Sequence, residues 1–260
     1  LGEGPSDYGD LLCVGADGPV LDAIVAHLAA SARQWELLDL REFFGQSRHL
    51  QPLIERLQAR GWWLRISNDS DCYGIATHAG WEHYCASQFS TKRRKDFRRE
   101  WRNLEAAGGF TQELLTRIDD TAGLADQFGE IQGAHMAASE KRPGEFNDPV
   151  FRPFLEGLIA TASARGWLRI ALLRRHGTPV AYWIAFLFNQ RFYVYNTAHR
   201  QDVQRHGAGK LLMLYMLERF FSESAGLIDY LRGAESYKEV LTEQVVTNAR
   251  VRAAHSGLRA

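Results

Sequence analysis

One stretch, residues 167–199, most constrains how this chain folds. It holds three apolar segments rich in β-branched and aromatic residues, which turn-forming residues separate at His176–Thr178 and at Asn189–Arg191. This pattern predicts a three-stranded antiparallel meander. A helical stripe that includes Leu214 and Leu217 follows it. The chain is therefore expected to build a sheet with a helix packed on it.

The rest of the sequence alternates short apolar segments with amphipathic ones, which is typical of an α/β or α+β fold. Further strands are predicted at Asp10–Val14, Leu37–Leu40, Trp62–Ile66, Phe110–Leu115 and in the segment LIDYLRG. Further helices are predicted at Leu21–Ala32, Leu50–Arg60, Thr121–Ala138, Val150–Arg165 and in the segment STKRRKDFRREWRNLEAAGG. The segment SNDSDCYG is typical of a turn, and Ser90 of a helix N-cap. The predicted fold is a mixed central sheet flanked by helices.

The order of strands and helices starts again near Phe110, which predicts two similar halves. Residues 110–260 supply a complete unit, residues 89–109 a basic connecting helix, and residues 1–88 a shorter version of the unit. The chain begins without Met and almost directly with a strand, so the first half is expected to be incomplete at its N-terminus. The sequence identity between the two halves is too low to show that they arose by duplication, so this origin stays open.

Charge and cysteine content limit the class of protein. The 31 basic residues balance 31 acidic ones, which argues against a protein that grips a nucleic-acid backbone along its length. The cysteines (Cys13, Cys72 and Cys85) and the pair His78 and His83 lack metal-ligand spacing, so we expect reduced thiols, a cytoplasmic protein and no metal site. No segment reaches the ~18 apolar residues of a membrane span, and the sequence shows no signal peptide.

The glycine-rich segment QRHGAGK, Gln204–Lys210, directly precedes the apolar helix. A Walker A loop requires a glycine where Gln204 stands and a Ser or Thr where Leu211 stands, so this loop type is not indicated. A dinucleotide fingerprint requires a small residue in place of Leu212, and it belongs to a parallel unit rather than after an antiparallel meander.

A third interpretation of this segment is an anion site. Small residues allow main-chain N–H groups to approach an anion, and the following helix directs its positive end to the same place. The helix has no Ser, Thr, Asp or Asn cap, and a missing cap costs about 1 kcal/mol. A bound pyrophosphate would satisfy the N–H groups, and Arg205 and Lys210 would add charge. A tight strand-to-helix turn with solvated ends remains the alternative.

The pattern Q-R-H-G-A-G after a central strand resembles the Q/R-x-x-G-x-G/A element with which the Gcn5-related N-acetyltransferases (GNAT) hold the pyrophosphate of acyl-coenzyme A. The segments FSTKRRKDFRREWRNLEAAG and DYLRGAESYKEVLT look like the BioF2-like branch of this family, which is related to the FemABX aminoacyl transferases. The similarity spans Phe89 to about Thr242. It implies a GNAT fold with two halves, and the complete glycine segment favours coenzyme A (CoA) over aminoacyl-tRNA as donor.

The resemblance implies direct attack of an amine on the thioester of acyl-CoA, through a tetrahedral intermediate and without a metal. The glycine segment would hold the pyrophosphate, and a main-chain N–H near Tyr195–Thr197 would stabilise the oxyanion. The cofactor-binding residues expected on this basis are Tyr195, Asn196, Thr197, Gln204, Arg205, His206, Gly207, Ala208, Gly209 and Lys210.

The closing Gly-x-x-x-Tyr-Lys supplies candidate catalytic residues. By resemblance, Lys238 stabilises the tetrahedral oxyanion. Tyr237 is the candidate general acid, because a phenol can protonate the departing thiolate. Glu235 is the first candidate base, followed by Asp229 and then His199. The alternative is an ordinary amphipathic turn in which the tyrosine packs and the lysine extends to solvent.

The predicted basic helix carries Lys92–Lys95 in its first turn and then Arg99 and Arg102. Because Glu100 and Glu105 offer partners at helical spacing, a solvated charged face is one interpretation. The other is an anionic partner, such as the 3′-phosphate of CoA, a phosphorylated sugar or the acceptor end of a tRNA.

Three functions remain open from the sequence. The first is an N-acyltransferase that moves an acyl group from acyl-CoA, or from an acyl carrier protein, to the amine of a small molecule or sugar. The second is a FemABX-like transferase that uses aminoacyl-tRNA. The third is a non-catalytic acyl-ligand-binding module of a polysaccharide-biosynthesis system. Tyr182, Trp183 and Tyr193 either line a cleft or pack in the core. The acceptor, the acyl chain and the oligomeric state stay open.

Overall fold

The computed structural model describes residues 6–13, 17–136, 144–223, 226–233, 235–242 and 244–255, apart from the side chains at positions 135, 136, 205 and 206. The strands are β1 (Leu38–Phe43), β2 (Trp63–Ala76), β3 (Phe110–Leu115), β4 (Leu168–Arg175), β5 (Thr178–Phe188), β6 (Arg191–His199), β7 (Leu227–Arg232) and β8 (Gln244–Ala254). The α-helices are α1 (Asp17–Ala30), α2 (Leu50–Ala59), α3 (Trp81–Gln88), α4 (Thr91–Ala106), α5 (Thr121–Met136), α6 (Phe151–Ala164), α7 (Ala208–Ser222) and α8 (Ser236–Leu241). Short 3-10 helices lie at Ala32–Gln34, Glu145–Asn147 and Gln201–His206. The fold is mixed α/β, as the sequence predicts.

The chain forms two compact units. One consists of Leu1–Gly74 and Leu231–Ala260, and the other of Ile75–Tyr230. Their bounds differ from the predicted division at positions 88 and 109 because β8 pairs with β1 and β2 and so places the end of the chain in the first unit. The division into two related halves and a connecting helix stays a prediction.

In the first unit, β8 lies between β1 and β2 and is antiparallel to both. Helices α1 and α2 share an apolar core with β1 and β8, which consists of Leu21, Val25, Phe43, Leu53, Leu57, Val251 and Ala253. Each large apolar side chain buried in this way contributes about 1.5–3 kcal/mol, so this core holds the two helices on the strands.

In the second unit, β3, β4, β5 and β6 pair consecutively as antiparallel strands, and β7 pairs with β6 in parallel. Helices α5 and α6 pack on the face that includes Tyr182 and Ile184 of β5. Phe220 of α7 stacks on Phe192 of β6 with ring centroids 3.8 Å apart. Phe192 pairs with Leu187, and directly paired residues point to the same face of the sheet. Because side chains alternate along β5, Leu187 lies on the face opposite that of Tyr182 and Ile184. Helix α7 therefore lies on the face opposite α5 and α6.

Most predicted elements are confirmed to within a few residues, including the meander β4–β5–β6 with its two turns and helix α4 with its Ser90 cap. The hydroxyl of Ser90 accepts a hydrogen bond from the N–H of Arg93 at 3.2 Å. Two short helices, α3 and α8, and the whole of β8 were not predicted. Among the helices within the described residues, none has the length and apolar character needed to cross a membrane.

The predicted strand at Asp10–Val14 is wrong over its described residues. Gly9 forms a single bridge with Phe43, and the following residues, as far as Cys13, are irregular. The N–H of Leu11 donates to the carboxylate of Asp10 at 2.7 Å. This main-chain donor is therefore not available to a neighbouring strand, which disfavours a strand at this position. Val14 lies outside the described residues.

The predicted turn in SNDSDCYG is also wrong. Strand β2 runs through it, and β8 pairs with β2 from Trp63 to Gly74. A register shift between Asn68 and Asp71 accommodates the polar residues that resembled a turn. A partner strand distant in sequence therefore overrode the local preference.

Candidate active site

Strands β6 and β7 separate within the second unit. Their parallel ladder joins Arg191, Phe192 and Tyr193 to Leu227, Ile228 and Asp229, respectively. Beyond Tyr193, β6 continues to His199 alongside β5, while the ladder to β7 has ended. Beyond Tyr193 this edge of β6 is therefore not part of the β6–β7 ladder.

A β-bulge lies where β6 leaves β7. Ile184 pairs with Asn196 and Ala185 pairs with Val194, so Tyr195 is an extra residue on β6. The bulge places two consecutive side chains on one face, because Tyr195 packs against Phe186 while Asn196 bonds to Tyr182. Bulges of this kind redirect side chains and main-chain groups next to active sites.

The side chain of Asn196 lies in a polar network with Tyr182, Gln132 and Glu145. Its amide oxygen accepts the Tyr182 hydroxyl at 2.7 Å and the Gln132 amide at 3.3 Å, and its amide nitrogen donates to Glu145 Oε2 at 3.1 Å. Gln132 also donates to Glu145 Oε2 at 3.0 Å. Burial raises the pKa of the Tyr182 phenol well above its ordinary value, and the charge of Glu145 raises it further. Tyr182 is therefore a neutral donor at physiological pH.

Sequence reasoning missed Glu145 as a candidate functional residue. It lies in the polar segment between α5 and α6 that resembled an ordinary loop, and its side chain is exposed. Its link to Asn196 joins positions 51 residues apart, which no local pattern reveals. The predicted residue Thr197 has a different role, since its hydroxyl donates to the Tyr182 carbonyl at 2.8 Å.

The glycine segment is helical on both sides of Gly207. A 3-10 helix covers Gln201–His206, Gly207 adopts a left-handed conformation with φ 66°, and α7 begins at Ala208. The N–H of Gly207 bonds to the carbonyl of Gln204 at 2.9 Å. The N-cap residue of α7 is Gly207, so no side chain of this residue caps the helix, as predicted. The side chains of Arg205 and His206 lie outside the described residues.

Gly209 has a packing reason to be glycine. A Cβ atom at this position would lie 3.0 Å from Nδ1 of His199, the last residue of β6. The absent side chain therefore lets the first turn of α7 approach the end of β6. His199, the third candidate base, is part of this contact.

Lys210 interacts with helix α4. Its ammonium forms an ion pair with Glu100 Oε2 and lies 5.3 Å from the ring centroid of Phe97. Glu100 thus pairs with a lysine distant in sequence, and Glu105 accepts the indole N–H of Trp101 at 2.8 Å. The basic residue predicted to meet a pyrophosphate already has a carboxylate partner.

The closing motif folds into a compact turn in the first unit. Lys238 is 4% exposed, and its ammonium donates to the carbonyl of Arg232 at 2.6 Å and pairs with Glu235 at 2.9 Å. A Cβ atom at Gly233, whose φ is 124°, would lie 2.5 Å from Glu235 Oε2 and 3.0 Å from Lys238 Nζ. The glycine is required by this turn, which brings the predicted base and the predicted oxyanion lysine together.

The two remaining predicted catalytic residues lie in different units. Burial raises the pKa of the Tyr237 phenol, and the charge of Glu235 raises it further, so the phenol keeps its proton at neutral pH. Asp229 belongs to the second unit, where it is 3% exposed and lies 3.5 Å from Arg191. It pairs with Tyr193 at the last position of the β6–β7 ladder.

One group of metal-ligand type occurs among the described residues, although none was predicted. Ligand atoms of Cys13, Asp17 and His49 lie within 4.8 Å of one another. The guanidinium of Arg48 already lies there, 3.0 Å from Asp17 and 3.3 Å from Nε2 of His49. An ion pair accounts for the arrangement, which carries no metal assignment.

Several solved structures share this fold. FemX aligns with a TM-score of 0.64 and 8% identity over 94% of this chain and 79% of that one. L-PGS from Bacillus licheniformis aligns with a TM-score of 0.60 and 11% identity over 94% and 76%. The C-terminal domain assigned to a lysylphosphatidylglycerol synthetase of Agrobacterium fabrum aligns with a TM-score of 0.59 and 13% identity over 94% and 75%.

The architecture with its separated strands agrees with the family that the sequence itself matches. The family model "Acetyltransferase (GNAT) domain" matches residues 91–239, more than half of the chain. The chain belongs to this family, which confirms the resemblance read from its glycine segment. No curated protein matches the sequence significantly.

Proposed function

We propose that this protein is an N-acyltransferase that moves an acyl group from acyl-CoA to the amine of a small-molecule or sugar acceptor. The main support for this proposal is that β6 separates from β7. The bulge at Tyr195 lies at the point of separation. A thioester laid between the strands would meet main-chain donors that β7 no longer occupies. The BioF2-like branch and a cytoplasmic location form part of the same proposal.

In this mechanism, an N–H of the Tyr195–Thr197 segment stabilises the oxyanion as the amine attacks the carbonyl carbon. The uncapped first turn of α7, from Ala208 to Lys210, binds the pyrophosphate, and the segment Gln204–Gly207 positions that turn. The roles that the family resemblance implies for Lys238 and Tyr237, both in the first unit, stay expectations, and the raised pKa of the Tyr237 phenol makes it a weaker acid.

We propose Glu145 as a base for the attacking amine, beside the earlier candidates Glu235 and Asp229. Glu145 is exposed, and its hydrogen bond to Asn196 holds it next to the bulge. Asp229 is less suited, because it is buried and lies near Arg191. Glu235 is already paired with the ammonium of Lys238 at 2.9 Å.

Calorimetric titration of acetyl-CoA and longer acyl-CoA tests the proposal. Gly207→Trp is expected to abolish binding, because its side chain would cover the first turn of α7. Gly177→Trp is the matched control, since Gly177 also has positive φ, 82°, and nothing lies within 4 Å of its Cβ position. Absence of binding by the wild type, or equal loss in both variants, would contradict the CoA site.

An aminoacyl-tRNA donor is the second candidate. The fold shared with FemX and the basic residues of α4 favour it. A steep decline of tRNA affinity with salt, reduced when Lys92–Lys95 are changed to Ala, would support this donor. Flat salt dependence together with tight acyl-CoA binding would exclude it.

A non-catalytic acyl-binding module is the third candidate, and an acyl carrier protein is a variant donor for the first. Turnover decides between an enzyme and a module. Acyl-CoA binding without transfer to a panel of amines, together with no effect of Lys238→Ala, would favour the module.

A further inference from the structure

In the first unit, β1, β8 and β2 expose polar side chains on the face opposite α1 and α2. The core that these helices share with the strands contains Val251, with Leu40 and Leu64 packed against it. Because side chains alternate along a strand, the residues next to these point to the opposite face. On that face Asp39 and Arg65 are exposed. We call it the open face.

Arginines are concentrated on the open face. The strand register pairs Arg252 of β8 with Asp39 of β1 on one side and with Arg65 of β2 on the other. Arg250 precedes Arg252 by two residues on β8. Arg41 follows Asp39 by two residues on β1, and its charge acts on the Asp39 carboxylate. Three neighbouring strands therefore present four guanidinium groups on one face.

Carboxylates balance only part of this charge. Asp39 accepts a hydrogen bond from Arg250 at 2.7 Å and lies 3.7 Å from Arg252. The hydrogen bond from Arg250 and the charges of the arginines around it lower the pKa of Asp39, so its carboxylate is ionised at neutral pH. Asp69 lies 4.0 Å from Arg41. Two carboxylates thus stand against four guanidinium groups.

Arg65 and Arg252 are like charges at directly opposite positions of β2 and β8. Arg65 forms no ion pair with any residue that the structure describes. The Cβ atoms of directly opposite residues lie about 4.5–5.5 Å apart, and like charges at this separation destabilise a sheet. Guanidinium groups are planar donors that match the oxygens of a phosphate. A phosphate between these two arginines would remove their repulsion.

An apolar row borders the arginines on the open face. Trp63 pairs with Ala254, and the pairing of Leu38 with Ala253 places Leu37 on the other side of Ala254. Trp63 is 41% exposed and Leu37 is 51% exposed. The row lies two residues, or about 7 Å, beyond the paired arginines. Exposed tryptophan and leucine beside basic residues are typical of surfaces that bind at a membrane interface.

We propose that the open face docks on an anionic lipid surface. Arg65 and Arg252 bind headgroup phosphates, while Leu37 and Trp63 enter the boundary between headgroups and acyl chains. A bilayer supplies both layers side by side, and its negative potential attracts the excess of arginines. A nucleic acid would satisfy the guanidinium groups but would leave the aliphatic Leu37 without an apolar partner. Docking of this kind is peripheral and does not depend on the acyl donor.

Flotation of the full chain with lipid vesicles tests the proposal. Vesicles with equal parts of phosphatidylcholine and phosphatidylglycerol should carry the protein, whereas vesicles of phosphatidylcholine alone should not. Binding should decline as NaCl rises from about 0.1 M to about 1 M, because the screening length falls from ~10 Å to ~3 Å.

Variants locate the binding on the open face. Arg65→Glu should weaken binding to the mixed vesicles about tenfold or more. It should leave the protein at least as stable to urea, because it places opposite charges at the paired positions. Trp63→Thr should weaken binding about threefold or more. Arg60→Glu, at the exposed end of α2, is the charge control, and Leu12→Ser is the control for loss of an exposed apolar side chain.

Three results would overturn the proposal. The first is failure of the wild type to bind the mixed vesicles, and the second is an equal effect of Arg65→Glu and Arg60→Glu. The third is binding of RNA or inorganic phosphate through Arg65 without vesicle binding, which would assign the face to a soluble anion. Acyl-CoA titration of the same variants reports separately on the proposed function, because none of the changed residues belongs to the proposed CoA site.

Discussion

The ammonium of Lys210, in the first turn of α7, forms an ion pair with the carboxylate of Glu100 on α4. Oε2 of the same glutamate lies 3.6 Å from the Cβ position of Gly207. The helix end that would receive a diphosphate therefore has a protein carboxylate beside it. An incoming diphosphate must compete with Glu100 for Lys210 and for the positive end of the helix.

Replacement of Glu100 by Gln is expected to tighten acyl-CoA binding. The change releases Lys210 and removes a negative charge near the phosphates. Because exposed ion pairs contribute about 0.2–1 kcal/mol, the dissociation constant should fall up to ~5-fold. Calorimetric titration measures it, with Glu130→Gln on α5 as a control for loss of an exposed carboxylate. Unchanged or weaker binding would show that Glu100 does not compete with the donor.

Replacement of Glu145 by Gln is expected to lower kcat about 100-fold or more, since general-base catalysis contributes ~10²–10⁴-fold. The glutamine keeps an oxygen that can accept from Asn196, so acyl-CoA affinity should stay within twofold. Steady-state rates with a panel of amines measure the effect. Asp119→Asn, at an exposed position, is the control. Loss of affinity with kcat preserved would assign Glu145 to binding rather than to proton transfer.

Tyr182 links stability to alkaline pH. Burial raises the pKa of its phenol in the folded state, whereas an unfolded tyrosine titrates near ~10. The folded state therefore holds this proton more tightly, so the stabilisation is complete below pH ~10 and declines as the pH rises above it. Urea unfolding between pH 8 and about 11 should show a smaller decline in Tyr182→Phe than in the wild type. Identical slopes would contradict this assignment.

Two glycines in helices are expected to respond oppositely to alanine. Gly157 lies within α6 with nothing within 4 Å of its Cβ position, so Gly157→Ala should raise the free energy of unfolding by about 0.5–1 kcal/mol. In Gly209→Ala the methyl group would press on His199, and we expect no gain or a loss of about 1 kcal/mol. Urea unfolding at pH 7 measures both. A gain at Gly209 would show that His199 moves without cost.

The elements that local patterns define were predictable. The apolar segments and turns of β4–β5–β6 lie within 32 residues, from Leu168 to His199. Helix α4 was predictable from the Ser90 cap and from its apolar stripe, and residues 204–209 matched the GNAT pattern. The strand, turn and helix signals depend on backbone preference and on periodicity over one or two turns, whereas the GNAT pattern is a resemblance to known proteins.

The elements that depend on distant partners were missed. Strand β2 runs through SNDSDCYG because β8 supplies its ladder. The paired residues are 170 or more positions apart, and Thr247 lies opposite Asp71. The bulge at Tyr195 follows from the pairing of β6 with β5 and from no residue preference. The apolar composition of Asp10–Val14 favoured a strand. The carboxylate of Asp10 instead accepts the N–H of Leu11, and the described residues of this segment are irregular.

The sequence by itself determined the central meander and the helix that begins at the glycine segment, because backbone preferences and short-range periodicity produce them. The motif residues of that segment indicated the family by resemblance. Tertiary structure decided which side chains meet: Glu145 with Asn196, Glu100 with Lys210, and Glu235 with Lys238 in the turn that Gly233 permits. The first two pairs join positions far apart along the chain. Their contacts arise when strands and helices pack, and packing minimises buried unpaired polar groups over the whole unit rather than over a local window.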